Sequence, residues 1–60
     1  MPKFQVGDRV RVIAPDSYIH RMEGIIREIK PSDKFEYYIQ DSMAGNIWGV
    51  QGFELVKIES

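Results

Sequence analysis

Met22-Glu23-Gly24-Ile25-Ile26-Arg27-Glu28-Ile29-Lys30 decides the fold, because this stretch reads as either a strand or a helix. Ile19, Met22, Ile26 and Ile29 sit at helical spacing. Against that, Gly24 stands near the start, the segment is rich in β-branched side chains, and turn formers flank it on both sides. Those features favour a strand over 22–30. The pair Ile25-Ile26 interrupts strict alternation and predicts a bend or bulge within it.

Working outward, the same type of element recurs. Upstream, Val10 and Val12 alternate with Arg9, Arg11 and Ile13, which predicts a strand over 9–14 with the valines inward and both arginines on the other face. Gly7-Asp8 reads as a turn before it, and Phe4 and Val6 are expected to cover one end of the core. A long loop, 15–21, separates these first two strands and carries Tyr18 and Ile19. Downstream, Pro31-Ser32-Asp33-Lys34 is a run of turn formers. A third strand is expected over 35–40, with Tyr37 and Ile39 on one face and Tyr38 on the other. A turn over 41–45 leads to a fourth strand, 46–50, around Trp48. Gln51-Gly52-Phe53-Glu54 suits one turn of 3₁₀ helix before a last strand, 55–58.

Five short strands, a long first loop and a 3₁₀ turn describe an all-β, five-stranded SH3-like barrel, with residues 1–60 as a single domain. Closure into a barrel would hide edges that so small a sheet leaves open.

The wording of the chain carries a resemblance of the same kind. Val6-Gly7-Asp8-Arg9-Val10-Arg11-Val12, then Gly24-Ile25-Ile26 and Phe53-Glu54-Leu55, resembles small SH3-like domains of the KOW and Tudor type. Val10-Arg11-Val12-Ile13-Ala14-Pro15-Asp16-Ser17-Tyr18, followed by Glu23-Gly24, looks like the first two strands of the E-type subunit family of photosystem I. It is also similar to the SH3-like subunit of the photosynthetic NDH complex. Both resemblances imply a docking subunit, with ferredoxin as the associated partner. The second half departs from the photosystem I family: its asparagine-rich stretch is absent, and Gly49-Val50-Gln51-Gly52-Phe53 stands there instead. The acid excess of that half also suits acidic ferredoxin poorly.

Bulk composition bounds what else the chain does. Sixty residues bury only about 60% of the surface an unfolded chain exposes, so the core is small. With no cysteine, disulfides and cysteine-based zinc sites are excluded, and one histidine among scattered carboxylates is a poor ligand set. No cofactor is expected. No run approaches the roughly 20 apolar residues of a membrane span, and the first residues lack a signal peptide's apolar run. A cytoplasmic location, or one on the cytoplasmic or stromal face of a membrane complex, is the expectation. The net charge is −1, which argues against broad attraction to nucleic acid. Basic residues are nonetheless concentrated in the first half (Lys3, Arg9, Arg11, Arg21, Arg27, Lys30).

No Ser/His/Asp set is in evidence, and no enzyme is expected. A small plasmid-borne dihydrofolate reductase uses this barrel as a tetramer, but its Val-Gln-Ile-Tyr motif is not reproduced: Val50-Gln51 is followed by Gly52-Phe53. Asp16, Asp33 and Asp41 all fall in turns, where carboxylates bond local amides. His20 reads as an exposed loop residue or a contact at an interface. Tyr18, Tyr38, Trp48 and Phe53 are more aromatics than so small a core holds, and rigid aromatics suit binding surfaces. Trp48 by itself reads first as part of the core or its lid and Tyr18 as a surface residue; by analogy with SH3-like barrels, Tyr18, Tyr38 and Trp48 would line one groove. Arg9 and Arg11 share a face, with Arg21 and Arg27 expected nearby and Glu23 or Glu28 as cross-strand partners.

The expected function is a non-catalytic docking module that binds a protein through Tyr18, His20, Arg21, Arg9, Arg11, Tyr38 and Trp48. A KOW-like nucleic-acid module using the arginine face is the second class. Third comes an oligomeric enzyme whose site forms at a shared interface; self-association remains open.

Overall fold

Segment 22–30 is a strand over Glu23–Ile29, one residue shorter at each end than expected, in the computed structural model, which describes residues 4–58. The chain forms β1 (Arg9–Val12), β2 (Glu23–Ile29), β3 (Tyr37–Asp41) and β4 (Ile47–Val50), then a 3₁₀ turn (Gly52–Glu54) and β5 (Leu55–Lys57). All pairings are antiparallel, in the spatial order β4-β3-β2-β1-β5. β4 and β5 are the edges of this one sheet, and the 3₁₀ turn carries the chain from one edge to the other. Among the described residues no helix is long and apolar enough to cross a membrane.

Gly24 shows why the strand wins. It stands opposite Val10 on one side and Asp41 on the other, and a Cβ there would run into the backbone carbonyl of Gln40. β2 and β3 approach this closely only because this position has no side chain. The register then slips between Ile26 and Glu28, which leaves Arg27 as the extra residue of a bulge. Before the slip Ile26 faces inward opposite Ile39; after it Ile29 takes the inward place opposite Tyr37. Two inward isoleucines three residues apart are the imprint of that bulge, and they imitate helical spacing.

The core is Phe4, Val10, Val12, Ala14, Ile26, Tyr37, Ile39, Val50 and Leu55, with Ile19, Met22, Ile29 and Trp48 packed partly against it. Tyr37 is fully enclosed, and its hydroxyl accepts a hydrogen bond from the Phe4 N–H (3.3 Å) while the two rings meet edge to face at 5.5 Å. That pairing supplies the partner a buried hydroxyl requires.

Three expectations are corrected. Val6 does not cover the core with Phe4, because it sits at the tip of a turn closed by the Asp8 N–H on the Gln5 carbonyl (3.0 Å) and is largely exposed. β1 ends at Val12 rather than at 14, since the Ala14 N–H turns to the His20 ring. β3 starts at Tyr37 rather than 35, because Phe35 lies over Gly49, where an added Cβ would come within 2.6 Å of its ring.

The register makes a direct forecast for Gly24. Gly24→Ala should destabilise the protein by about 1–3 kcal/mol, the usual cost of forcing extra volume into a packed site. Urea denaturation measures this, and an unchanged midpoint would contradict the close approach of β2 and β3.

Candidate docking surface

The loop after β1 is built from its own backbone. The ladder continues past the strand ends, with the Val12 N–H on the Met22 carbonyl (2.8 Å) and the Arg21 N–H on the Val12 carbonyl (2.7 Å). Inside it, the Ser17 N–H bonds the Ala14 carbonyl (2.8 Å) and the Met22 N–H bonds the Ile19 carbonyl (3.0 Å). His20 is half-buried, not an open loop residue, and its Nδ1 accepts the Ala14 N–H at 3.0 Å. His20 therefore clasps the loop shut. To close the ladder Arg21 takes φ 73°, the left-handed region that costs a non-glycine residue roughly 1–2 kcal/mol.

A second loop is organised by one carboxylate. Asp41, at the end of β3, is buried at 7% exposure, and its Oδ1 accepts the N–H groups of Met43 (3.0 Å), Ala44 (2.5 Å) and Gly45 (3.0 Å). Its Oδ2 accepts the Asn46 N–H (3.2 Å) and the Trp48 indole Nε1–H (2.9 Å). The indole hydrogen bond first, and then the backbone donors, hold the Asp41 carboxyl at about 2, below the ordinary 3.8 and against the opposing effect of burial. Trp48 faces the same side as Ile39, its partner across the ladder, and Tyr18 leans on it with ring centres 6.2 Å apart. The turn, the indole and the first loop thus share one anchor.

Three concavities run between these features and share residues. The first, about 470 Å³, lies between Pro15, Asp16 and Ser17 on the loop and Phe53 and Glu54 on the 3₁₀ turn. Its base is fixed by the Ile13 N–H on the Glu54 carbonyl (2.6 Å). Ile13 also borders the second, about 460 Å³, with Arg11, Arg21 and Glu23. Arg21 and Glu23 pass on into the third, about 330 Å³, which Met22, Ser42 and Met43 complete. Phe53 on the first is 84% exposed and Met43 on the third 96%, so a large apolar side chain stands at each outer member of this row, the track.

The residues singled out by sequence divide between this track and other places. Arg11 and Arg21 border it. Tyr18 and Trp48 touch each other as one aromatic pair. Tyr38 does not join them, because it alternates to the opposite face from Tyr37 and Ile39. Its hydroxyl donates to Asp33 Oδ2 (3.0 Å), its ring meets Phe35 edge-on, and Lys30 Nζ lies 5.2 Å above it. The hydrogen bond to Asp33 raises the Tyr38 pKa, while the Lys34 N–H and then the Tyr38 hydroxyl lower that of Asp33. Arg9 and Arg11 share the outer face, as expected. Arg11 gives Nη2 (2.6 Å) and Nε (3.2 Å) to Glu23 Oε2, a half-exposed pair worth about 0–1 kcal/mol that orients the side chains more than it stabilises the fold. Arg27 is held by Gln40 (2.9 Å). Arg9 and Arg21 have no ion-pair partner among the described residues.

Sequence reasoning missed Ile13, Met43 and Glu54 as surface lining and Asp41 as more than a turn former. Met43 carried the one available signal, a long apolar side chain inside an otherwise small and polar turn. Among the described residues no three His, Cys, Asp or Glu side chains are grouped to hold a metal ion. The chain matches no protein-family model and no curated protein.

Two outcomes are expected. A carboxyl depressed by folding adds stability that is full above the ordinary value of 3.8 and drains away as pH falls through about 2. Urea midpoints followed by the emission of Trp48, the sole tryptophan, should therefore drop steeply from pH 4 to pH 2. Asp41→Asn should be less stable at pH 7 and flatter over that range; parallel profiles for the two proteins would contradict this. For the backbone of Arg21, Arg21→Gly should be neutral or stabilising by up to about 1 kcal/mol, since relief of the left-handed conformation outweighs glycine's entropy. A clear loss of stability would contradict that geometry.

Proposed function

We propose that this chain is a non-catalytic docking module, an accessory or adaptor domain of SH3-like type, which binds a segment of a partner protein along the track from Phe53 to Met43. The observation that supports it is a row of three concavities that share Ile13, Arg21 and Glu23, with exposed Phe53, Ile13 and Met43 among their lining. Volumes of this order suit side chains entering one after another. Apart from these concavities, Tyr18, 94% exposed, pairs with Trp48 as an exposed aromatic contact.

Nucleic acid is the less favoured partner. Binding it depends on several free cations on one face. Arg11 is paired with Glu23 and Arg27 is engaged by Gln40, while Asp16 and Glu54 stand in the track itself. Ferredoxin docking would have to use Arg9 and Arg21 against that same acidic end.

Capture from the native host extract, with nuclease treatment and at low and raised salt, tests the reading. The wild-type chain should retain a defined protein through both treatments. Phe53→Ser with Met43→Ser, which removes two solvent-exposed anchors and leaves the core intact, should weaken that capture at least tenfold. A partner that disappears with nuclease and salt, or one held equally by the double variant, would overturn it.

A further inference from the structure

The middle of the track has a charge that nothing among the described residues answers. Arg21 and Glu23 are the two residues common to the second and third concavities. Glu23 is already claimed, since both Nε and Nη2 of Arg11 reach its Oε2. Asp41, which organises the turn carrying Ser42 and Met43, spends its carboxylate on five N–H donors. Arg11, Arg21 and Glu23 together leave one positive charge in the concavity, and it belongs to Arg21. The Arg21 backbone is pinned by its N–H on the Val12 carbonyl (2.7 Å) in a left-handed conformation, an unfavourable arrangement of the sort that gathers at ligand clamps.

The surroundings specify what would meet that charge. On one side stands Ile13, on the other Met43, both exposed and apolar. Concavities adjoin Arg21 on both the Ile13 side and the Met43 side, which favours an internal residue of a bound segment over its terminus. We infer that the segment recognised by this module carries an internal Asp or Glu side chain on Arg21, with apolar residues to either side that pack on Ile13 and Met43. The planar guanidinium takes a carboxylate through two parallel hydrogen bonds, and flanking apolar contacts shield that pair from water and salt. The inference rests on the docking reading and names the chemistry of its ligand.

A displayed library of random decapeptides, selected on the full chain, is the test. Selected peptides should share an acidic residue with an apolar residue close on each side. In fluorescence anisotropy, exchange of that acid for its amide should weaken binding to the wild type tenfold or more. Arg21→Gly, and independently Arg21→Asn, which also tolerates the left-handed conformation, should bind the acidic and amide peptides equally. Trp48 emission confirms that each variant is folded. Selected peptides without an acid, or an amide exchange that costs as much on the Arg21 variants as on the wild type, would overturn the inference and leave the docking reading standing. Peptides that bind only through a free terminal carboxylate would also overturn it. A library that yields no binder would remove both.

Discussion

The Asp41 carboxylate is the interaction on which the turn after β3 and the Trp48–Tyr18 pair depend. Five N–H groups converge on its two oxygens, four from the following turn and one from the Trp48 indole. A buried carboxylate without donors would be expensive, and these N–H groups supply its donors while the carboxylate fixes the turn. Trp48 is fixed by the same group, and Tyr18 of the first loop leans on Trp48. Met43, the apolar end of the track, is carried on the turn that Asp41 closes.

The opposite end has a different support. There the Ile13 N–H bonds the Glu54 carbonyl, and the Glu54 side chain accepts the Gln51 N–H (2.9 Å), so the 3₁₀ turn is fastened both to itself and to the strand that leads into the loop. His20 closes the loop from within. A small chain without disulfides has little core with which to hold loops rigid. Here local hydrogen bonds hold them, and under the docking proposal a surface so held would lower the ordering cost of binding.

Much of the fold was legible because it rests on short-range patterns. Alternation of Val10 and Val12 with arginines, and of Tyr37 and Ile39 with Tyr38, gave the strands and their faces. Gly24 and the flanking turn formers overrode the helical spacing of Ile26 and Ile29, whose cause is the bulge at Arg27. The site was only partly legible. Tyr18, Trp48, Arg11 and Arg21 stood out as residue types, but their grouping depends on contacts between segments distant in sequence. Tyr38 was placed with the wrong neighbours because analogy to a groove took precedence over its alternation along β3. Asp41 looked like any turn aspartate, since nothing local says that an indole seven residues later will share its carboxylate.

A rigid Asp41–Trp48 link lies beneath the proposed surface, and hydrogen exchange at the Trp48 indole Nε1–H tests that link most directly. The ring is only half-buried, so without the bond its proton would exchange quickly. The expected result is strong protection at neutral pH, shared by the amides of Met43 to Asn46 and lost together in Asp41→Asn. Exchange at the rate of an unprotected indole, with the wild type and Asp41→Asn alike, would contradict it.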